Sequence, residues 1–289
     1  DLGLFFFLQT GYICGKRIID IQQCLSFFRE YLSFRCQRNS TRGTLKQFKA
    51  DSLCVKMLDS RDAMGREAAK DAAACLRALL TEKEFVNVIF AAAPSQDETL
   101  FYLAQEEGIE WQRVNAFHMD EYVGLSADAP QGFGNFLDNC LFSKVPFKAV
   151  YRIDCSATDA AAECARYTEL LKAFPTDLVC LGIGENGHIA FNDPGFAFFD
   201  DPEVVKVVKL DEVCRMQQVH DGCFASIDEV PTHALTLTVP TLANAPHLVC
   251  TVPAPTKRNA VKLTVLGPVT EDVPATVMRG HADCVMFCD

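Results

Sequence analysis

The segment LGIGENGHIAFNDPG, residues 181–195, holds the residues of this sequence best suited to proton transfer. His188 is followed five residues later by Asp193. Imidazole has an ordinary pKa near neutral pH, and a neighbouring carboxylate can orient the ring and hold its tautomer. If the loop folds back, the pair predicts a histidine that moves protons. A capping or structural histidine is the alternative explanation.

The glycines of the same segment match the G-x-G-x-x-G turn of dinucleotide-binding proteins at Gly182, Gly184 and Gly187. Such a turn requires a strand before it and a helix opening on its last glycine. The apolar run DLVCLGIG supplies the strand, but the helix-breaking residues NDPG follow a few positions after Gly187. The pattern therefore favours a polar turn at a strand end, without a dinucleotide.

A second stretch, FHMDEY, places Asp120 and Glu121 side by side at the end of a strand. Successive side chains of a strand point to opposite faces, so one of the two carboxylates is expected to face a pocket. A carboxylate in a partly dry pocket has a raised pKa and can shuttle a proton. A solvated acidic turn is the alternative. His118 adds a further potential ligand, but no metal-binding spacing appears, and we predict no metal site.

A third stretch, PAPTK, ends in Lys257 at the start of a predicted helix. A helix N-terminus favours an anion, and a lysine there adds a point charge suited to phosphate. A solvated lysine is the alternative. Ser95 and Gln96 open another predicted helix and could offer hydrogen-bond donors, whereas Asp97 and Glu98 in the same turn would oppose a phosphate.

These residues are positioned by short strand-like runs that alternate with helical segments from about Leu45 onward. The alternation predicts an α/β fold with a mostly parallel sheet and helices on both faces. Open sheets of this kind bind ligands beyond the carboxyl ends of their strands. We therefore expect four polar loops to converge on one pocket: APSQDE, MDEY, GENGHIAFNDP and PAPTK.

One helix boundary is predicted in detail. Ser95 and Glu98 fit the S-x-x-E capping box, in which each side chain bonds the backbone N–H of the other residue. This pattern predicts a helix that opens at Ser95 and ends near Gly108.

Composition describes an ordinary globular protein, with 49% hydrophobic and 22% charged residues in a chain of 289. The net charge of -11 argues against a nucleic-acid partner. Fourteen cysteines are scattered without a C-x-x-C pair, which favours free thiols in a reducing compartment. No apolar run reaches the roughly 20 residues of a membrane span, so we predict a cytoplasmic protein without membrane contact.

The first 44 residues differ from the rest, with aromatic residues and cysteines followed by the basic stretch RCQRNSTRGTLK. We interpret residues 1–44 as an N-terminal appendage of unknown structure and residues 45–289 as a single domain.

Four segments, in this order and spacing, carry a family resemblance: NAFHMDEYVGL, LGIGENGHIAFNDPG, THALTLTVPTL and PTKRNAVK. They resemble the glucosamine-6-phosphate deaminase family, and the likeness extends from about Leu45 to the C-terminus. The resemblance implies one Rossmann-like α/β domain. It also implies conversion of glucosamine 6-phosphate and water into fructose 6-phosphate and ammonia, without redox cofactor or metal.

The resemblance also implies roles for individual residues. Asp120 matches the aspartate that moves a proton between carbons 1 and 2, and His188 the histidine that assists opening of the sugar ring. Asp193 matches the acid supporting that histidine, where many members have glutamate. Asn186 stands where many members have aspartate, and Lys257 matches the phosphate-binding lysine.

The turn AAAPSQDE, which contains Ser95 and Gln96, replaces the glycine-rich phosphate turn common in the family. Two other functions fit the same resemblance. One is a lactonase of the same superfamily that hydrolyses 6-phosphogluconolactone, and the other is a non-catalytic sugar-phosphate sensor. The sequence leaves the oligomeric state open, a homo-oligomer included.

We predict that neither NAD nor NADP binds. The helix-breaking residues NDPG after Gly187 prevent the helix that a dinucleotide-binding turn requires. Titration calorimetry of the full chain with each nucleotide is the test. Micromolar binding of either one would contradict this interpretation of the glycine pattern.

Overall fold

The computed structural model describes residues 46–289 of the chain. This part contains eleven strands: β1 Lys46–Ala50, β2 Leu53–Met57, β3 Val86–Phe90, β4 Val114–His118, β5 Asp120–Tyr122, β6 Ala149–Tyr151, β7 Leu178–Leu181, β8 Val205–Lys209, β9 His233–Leu237, β10 His247–Val252 and β11 Cys284–Cys288. It contains seven α-helices: α1 Arg61–Glu82, α2 Asp97–Leu103, α3 Phe133–Leu137, α4 Ala160–Ala173, α5 Glu212–His220, α6 Val239–Ala243 and α7 Arg258–Leu266. Shorter helical turns are Pro94–Gln96, Trp111–Arg113, Asp138–Phe142, Ile227–Glu229, Pro255–Lys257 and Pro274–Gly280.

Eight strands form one sheet in the order β1-β2-β11-β10-β7-β3-β4-β6. Every neighbouring pair is parallel except β1 with β2. The predicted mostly parallel sheet is therefore confirmed. The chain leaves β3 toward β4 and β6, and leaves β7 in the opposite direction toward β10 and β11. The carboxyl ends of β3 and β7 thus flank the crevice where such sheets bind ligands.

The central strands are apolar on both faces because helices cover both faces. Along β3, Val88 and Phe90 pack into one hydrophobic core, while Ile89 packs into the other. Helices α1 and α2 complete the first core, and α4 and α7 complete the second. This arrangement confirms the predicted helices on both faces, and it explains why these strands lack polar alternation.

A second, antiparallel sheet of three strands, in the order β5-β9-β8, was not anticipated from the sequence. Its middle strand places Thr236 opposite Asp120. The Thr236 hydroxyl accepts a hydrogen bond from the backbone N–H of Phe191 at 3.1 Å. The Asn192 side chain donates to the carbonyls of Ile189 and Leu237 at 2.9 and 2.8 Å. Strand β9 therefore holds the loop after β7 beside β5.

The predicted capping box is wrong. Residues Pro94–Gln96 form a 3₁₀ turn, and α2 begins at Asp97 without any side-chain hydrogen bond at its cap. The Glu98 carboxylate instead pairs with the Arg61 guanidinium at 2.7 Å. The Glu98 side chain therefore forms an ion pair with α1 and is not available to cap its own helix. The helix also ends at Leu103, earlier than predicted.

The prediction for residues 1–44 lies outside the described residues. Within residues 46–289, no helix combines the length and the apolar character needed to cross a bilayer. The cysteines of this part of the chain are free thiols.

Replacing Asn192 with alanine should destabilise the fold, because it removes the two buried hydrogen bonds from this side chain to the carbonyls of Ile189 and Leu237. We expect the free energy of unfolding to fall by about 1–3 kcal/mol in urea denaturation. Asn244→Ala, at an exposed position, is the matched control and should change stability little. Equal losses in both variants would contradict the assigned role of Asn192.

Candidate active site

The loops that follow β3, β7 and β10 meet at the predicted crevice. A Cβ atom on Gly182 would lie 2.8 Å from Nε2 of Gln96 and 3.5 Å from Oγ of Ser95. The Gln96 side chain is fully buried, and its Oε1 accepts a hydrogen bond from the Thr251 hydroxyl at 2.9 Å. The structure thus brings Ser95 and Gln96 to the crevice, with the Gln96 amide bonded to β10.

The glycines of the GIGENGH turn make room for an imidazole ring. A Cβ atom on Gly184 would lie 2.0 Å from Cε1 of His188, so the ring lies directly against this glycine. Gly187 has a φ of 85°, a conformation that L side chains rarely adopt. The next element after β7 is strand β8, so the predicted absence of a helix after Gly187 is confirmed.

The loop folds back as predicted and joins His188 to Asp193. Nδ1 of His188 lies 3.0 Å from Oδ1 of Asp193. The Asn186 amide donates to the same carboxylate oxygen at 2.9 Å and accepts from the His188 backbone N–H at 3.1 Å. Burial alone would raise the pKa of Asp193, but contacts with His188, Asn186 and Cys214 outweigh it and hold that pKa below its usual value.

The two adjacent acids have different environments, as the strand geometry predicts. The Glu121 carboxylate accepts hydrogen bonds from the backbone N–H groups of Tyr122, Phe133 and Gly134 at 2.9, 3.0 and 2.9 Å. Burial nevertheless raises the pKa of Glu121 to about 7. Glu121 is thus bonded to the backbone of the segment that opens α3.

The Asp120 carboxylate has no hydrogen bond to any residue that the structure describes. Burial, and then the nearby charge of Glu121, raise the pKa of Asp120 well above its ordinary value. Its charge also acts on the Cys214 thiol, beside Asp193. Asp120 is therefore the carboxylate of the pair that remains available for a ligand.

Lys257 lies buried in the turn Pro255–Lys257. Ala254, just before the turn, has a φ of 82°. Burial lowers the pKa of Lys257, while the charges of Asp221 and Glu185 act in the opposite direction. Within residues 46–289, its ammonium makes no ion pair or hydrogen bond. A buried cation without a direct partner favours an anionic ligand.

Helix α5 contributes a buried polar face that the sequence analysis did not single out. Gln217 accepts a hydrogen bond from the backbone N–H of Glu185 at 3.0 Å, and Gln218 accepts one from the Tyr122 hydroxyl at 2.8 Å. Cys214, one turn earlier, contacts Asp193. In the sequence DEVCRMQQVH, the spacing i, i+3 and i+4 of Cys214, Gln217 and Gln218 could have indicated that these residues share one face of a helix.

A cavity of about 310 Å³ lies next to these groups. It is lined by Ala93, Pro94, Pro130, Gln131, Phe133, Phe136, Gly222 and Cys223. Phe133 belongs both to this lining and to the segment that binds Glu121. Asp120, His188 and Lys257 do not line this cavity.

Comparison with known proteins identifies the family. The sequence profile of glucosamine-6-phosphate isomerases and 6-phosphogluconolactonases matches residues 59–286. The chain belongs to this family. A protein of Listeria welshimeri named glucosamine-6-phosphate deaminase is 37% identical over 204 residues, which are 71% of this chain and 85% of that relative.

Solved structures of the family share the fold. A monomeric glucosamine-6-phosphate deaminase superimposes with a TM-score of 0.73 at 29% identity, covering 81% of this chain and 96% of that one. A 6-phosphogluconolactonase from Thermotoga maritima gives a TM-score of 0.65 at 21% identity, covering 82% and 99%. The second likeness shows the fold alone.

Family membership confirms the resemblance expected from the sequence motifs. The predicted site residues all lie within the matched range: Ser95, Gln96, Asp120, Asn186, His188, Asp193 and Lys257. Their individual roles in a reaction remain predictions.

Replacing Lys257 with methionine should stabilise the ligand-free protein, because it removes a buried charge that has no direct partner in the described part of the chain. We expect the free energy of unfolding at pH 7 to rise by about 1–3 kcal/mol. The folded-state pKa is lowered, so the unfolded state binds more protons between that pKa and 10.5, and the wild-type protein gains stability with rising pH. The advantage of the variant should therefore shrink toward pH 10.5.

Urea denaturation at several pH values measures this difference, with the exposed Lys209→Met as control. Inorganic phosphate should raise the Tm of the wild-type protein and of the control, and leave Lys257→Met unchanged. A stability advantage that does not vary with pH would contradict the assigned cause.

Proposed function

We propose that this chain converts glucosamine 6-phosphate and water into fructose 6-phosphate and ammonia. The observation that carries the proposal is Asp120, a buried carboxylate of raised pKa without a hydrogen-bond partner among the described residues. It lies in the same crevice as the His188–Asp193 pair and the buried Lys257. The 37% identical relative named glucosamine-6-phosphate deaminase supports the assignment.

The phosphate group binds first in this mechanism. Lys257 supplies the charge, and the turn at Ser95 supplies hydrogen-bond donors at the end of β3. Among residues 46–289 the buried ammonium has no direct partner to displace, so an incoming phosphate gains the full charge-assisted contact. Binding energy from this remote group positions carbon 2 of the sugar against Asp120.

His188 then assists opening of the sugar ring. Opening a cyclic hemiacetal moves a proton from the anomeric hydroxyl and delivers one to the ring oxygen. Asp193 orients the imidazole through the contact at 3.0 Å, and Asn186 holds Asp193 in turn. Gly184 leaves space for the ring to lie in the crevice.

Asp120 takes the proton from carbon 2 of the open-chain sugar and returns it to carbon 1, while the oxygen on carbon 1 gains a proton and the nitrogen on carbon 2 loses one. The product of this transfer is an imine at carbon 2, which water hydrolyses with release of ammonia. A raised pKa brings a carboxylate closer to working pH and improves it as a base. The charge of Glu121 contributes to that shift from outside the reaction.

A lactonase or a sugar-phosphate sensor has no step that removes a proton from carbon. Neither function requires a buried carboxylate like that of Asp120, which has no hydrogen bond in the described structure. Release of ammonia, measured beside hydrolysis of 6-phosphogluconolactone, separates the three functions. We further propose a cytoplasmic location, in keeping with the free thiols of the described residues, and the oligomeric state remains open.

Asp120→Asn keeps the shape of the side chain and removes the base. General base catalysis contributes about 10²–10⁴ in rate, so deamination should fall by at least that range while phosphate binding persists. In the reverse direction the same base removes a hydrogen from carbon 1 of fructose 6-phosphate, after its imine has formed with ammonium. Exchange of that carbon 1 hydrogen with deuterated solvent, followed by NMR, reports the proton transfer directly.

Asp128→Asn is the matched control, because Asp128 lies exposed on the loop that follows β5. It should exchange the hydrogen at the wild-type rate. If Asp120→Asn also exchanges at that rate, the base is another carboxylate, and Glu121 is the first to test. If the wild-type protein releases no ammonia, the proposed function itself is wrong.

A further inference from the structure

A group of three potential metal ligands lies where the loop after β7 meets helix α5. The ligand atoms of His188, Asp193 and Cys214 all lie within 4.8 Å of one another, and all three residues are buried. Cys214 is more than twenty residues from the other two, so only the tertiary fold assembles this group. In the part of the chain that the structure describes, no other such group of three occurs.

One atom of the group, Nδ1 of His188, is buried without a hydrogen bond. Nδ1 of His188 is buried and lies 3.0 Å from Oδ1 of Asp193, but the contact is not aligned as a hydrogen bond. Buried polar atoms without a hydrogen bond are uncommon in folded proteins. A cation between these two atoms and the Cys214 sulfur would satisfy all three.

We propose that His188, Asp193 and Cys214 form an inhibitory binding site for a divalent cation of the zinc type. Nitrogen, sulfur and carboxylate oxygen together suit Zn²⁺, whereas Mg²⁺ and Ca²⁺ prefer oxygen alone. Bonds of about 2.0 Å to nitrogen and oxygen and about 2.3 Å to sulfur place tetrahedral ligand atoms roughly 3.3–3.6 Å apart. The 3.0 Å separation of His188 and Asp193 would widen slightly, and separations of up to 4.8 Å within the group would shorten, by side-chain shifts of roughly 1 Å.

Binding of the divalent ion at this site releases one proton and leaves the site without net charge. The ion binds neutral imidazole, the ionised carboxylate of Asp193 and the Cys214 thiolate, and the thiol proton is released to solvent. The two negative charges neutralise the ion in a buried place. The fourth position of the tetrahedron remains open to water or to an oxygen atom of a ligand.

Occupancy of this site blocks the step assigned to His188. A metal-bound imidazole cannot transfer the protons of ring opening, and Asp193 can no longer orient a free ring. This consequence rests on the proposed function, whereas the binding of the ion does not. The ion acts here as an inhibitor and takes no part in the deamination.

Cobalt(II) titration of the full chain tests the site without any activity measurement. Binding should produce the thiolate-to-cobalt charge-transfer absorption of a tetrahedral site, and Zn²⁺ should displace the cobalt. Cys214→Ser should remove that absorption and weaken binding at least about tenfold. His188→Gln should weaken it similarly, and it tests the site independently if Cys214→Ser does not fold.

Cys164→Ser is the matched control, because Cys164 is a buried free thiol on α4, in the other hydrophobic core. It should bind cobalt like the wild-type protein. Unchanged absorption in both Cys214→Ser and His188→Gln would overturn the proposal, as would the absence of thiolate absorption in the wild-type protein at millimolar cobalt.

Inhibition is measured separately, as ammonia release with and without Zn²⁺ and after addition of EDTA. Zinc should abolish the wild-type activity and EDTA should restore it. Full activity at a zinc concentration that saturates the site would overturn the inhibitory role. A protein that binds cobalt as expected but never releases ammonia would refute the proposed function and leave the metal site standing.

Discussion

The hydrogen bonds that Asn192 and Thr236 make across strand β9 are the constraint on which the site depends. Strand β7 ends at Leu181, and the loop beyond it is attached to β9 where the Asn192 side chain bonds the carbonyl of Leu237. Thr236 faces Asp120 in the small sheet and also binds the backbone of that loop. A single strand therefore sets the position of Asp120 relative to the His188–Asp193 pair.

The electrostatics of the crevice follow from burying several charges that do not pair with one another. Backbone N–H groups bind Glu121, and the contacts with His188 and Asn186 keep Asp193 ionised. Asp120 and Lys257 are left without direct partners among the described residues. Unpaired buried charges cost stability, so a protein keeps them where a ligand or a reaction uses them. Their opposite signs suit a substrate with an anionic group at one end and an acidic carbon at the other.

The supports around His188 differ from those that the family resemblance implies, and the structure shows how they act together. Asn186 cannot add charge beside the ring, but its amide bonds Asp193 and its oxygen binds the His188 backbone. Cys214 approaches the same carboxylate from helix α5. These supports hold the histidine in place, and the Cys214 sulfur also lies within 4.8 Å of the ligand atoms of His188 and Asp193.

The sequence by itself determined the strands and helices, the parallel sheet, and the polar loops at its carboxyl edge. Those features follow from local periodicity and from the geometry of parallel strands, which brings their ends to one edge. The fold-back of Asp193 onto His188 was equally predictable, because the two lie within one short loop. Only the tertiary structure decided the partner of Glu98, the antiparallel sheet and the polar face of α5. These depend on contacts between distant residues, such as Gln217 with Glu185, 32 positions apart, and Arg61 with Glu98, 37 apart. Local propensity carries no information about which distant group will compete for a side chain.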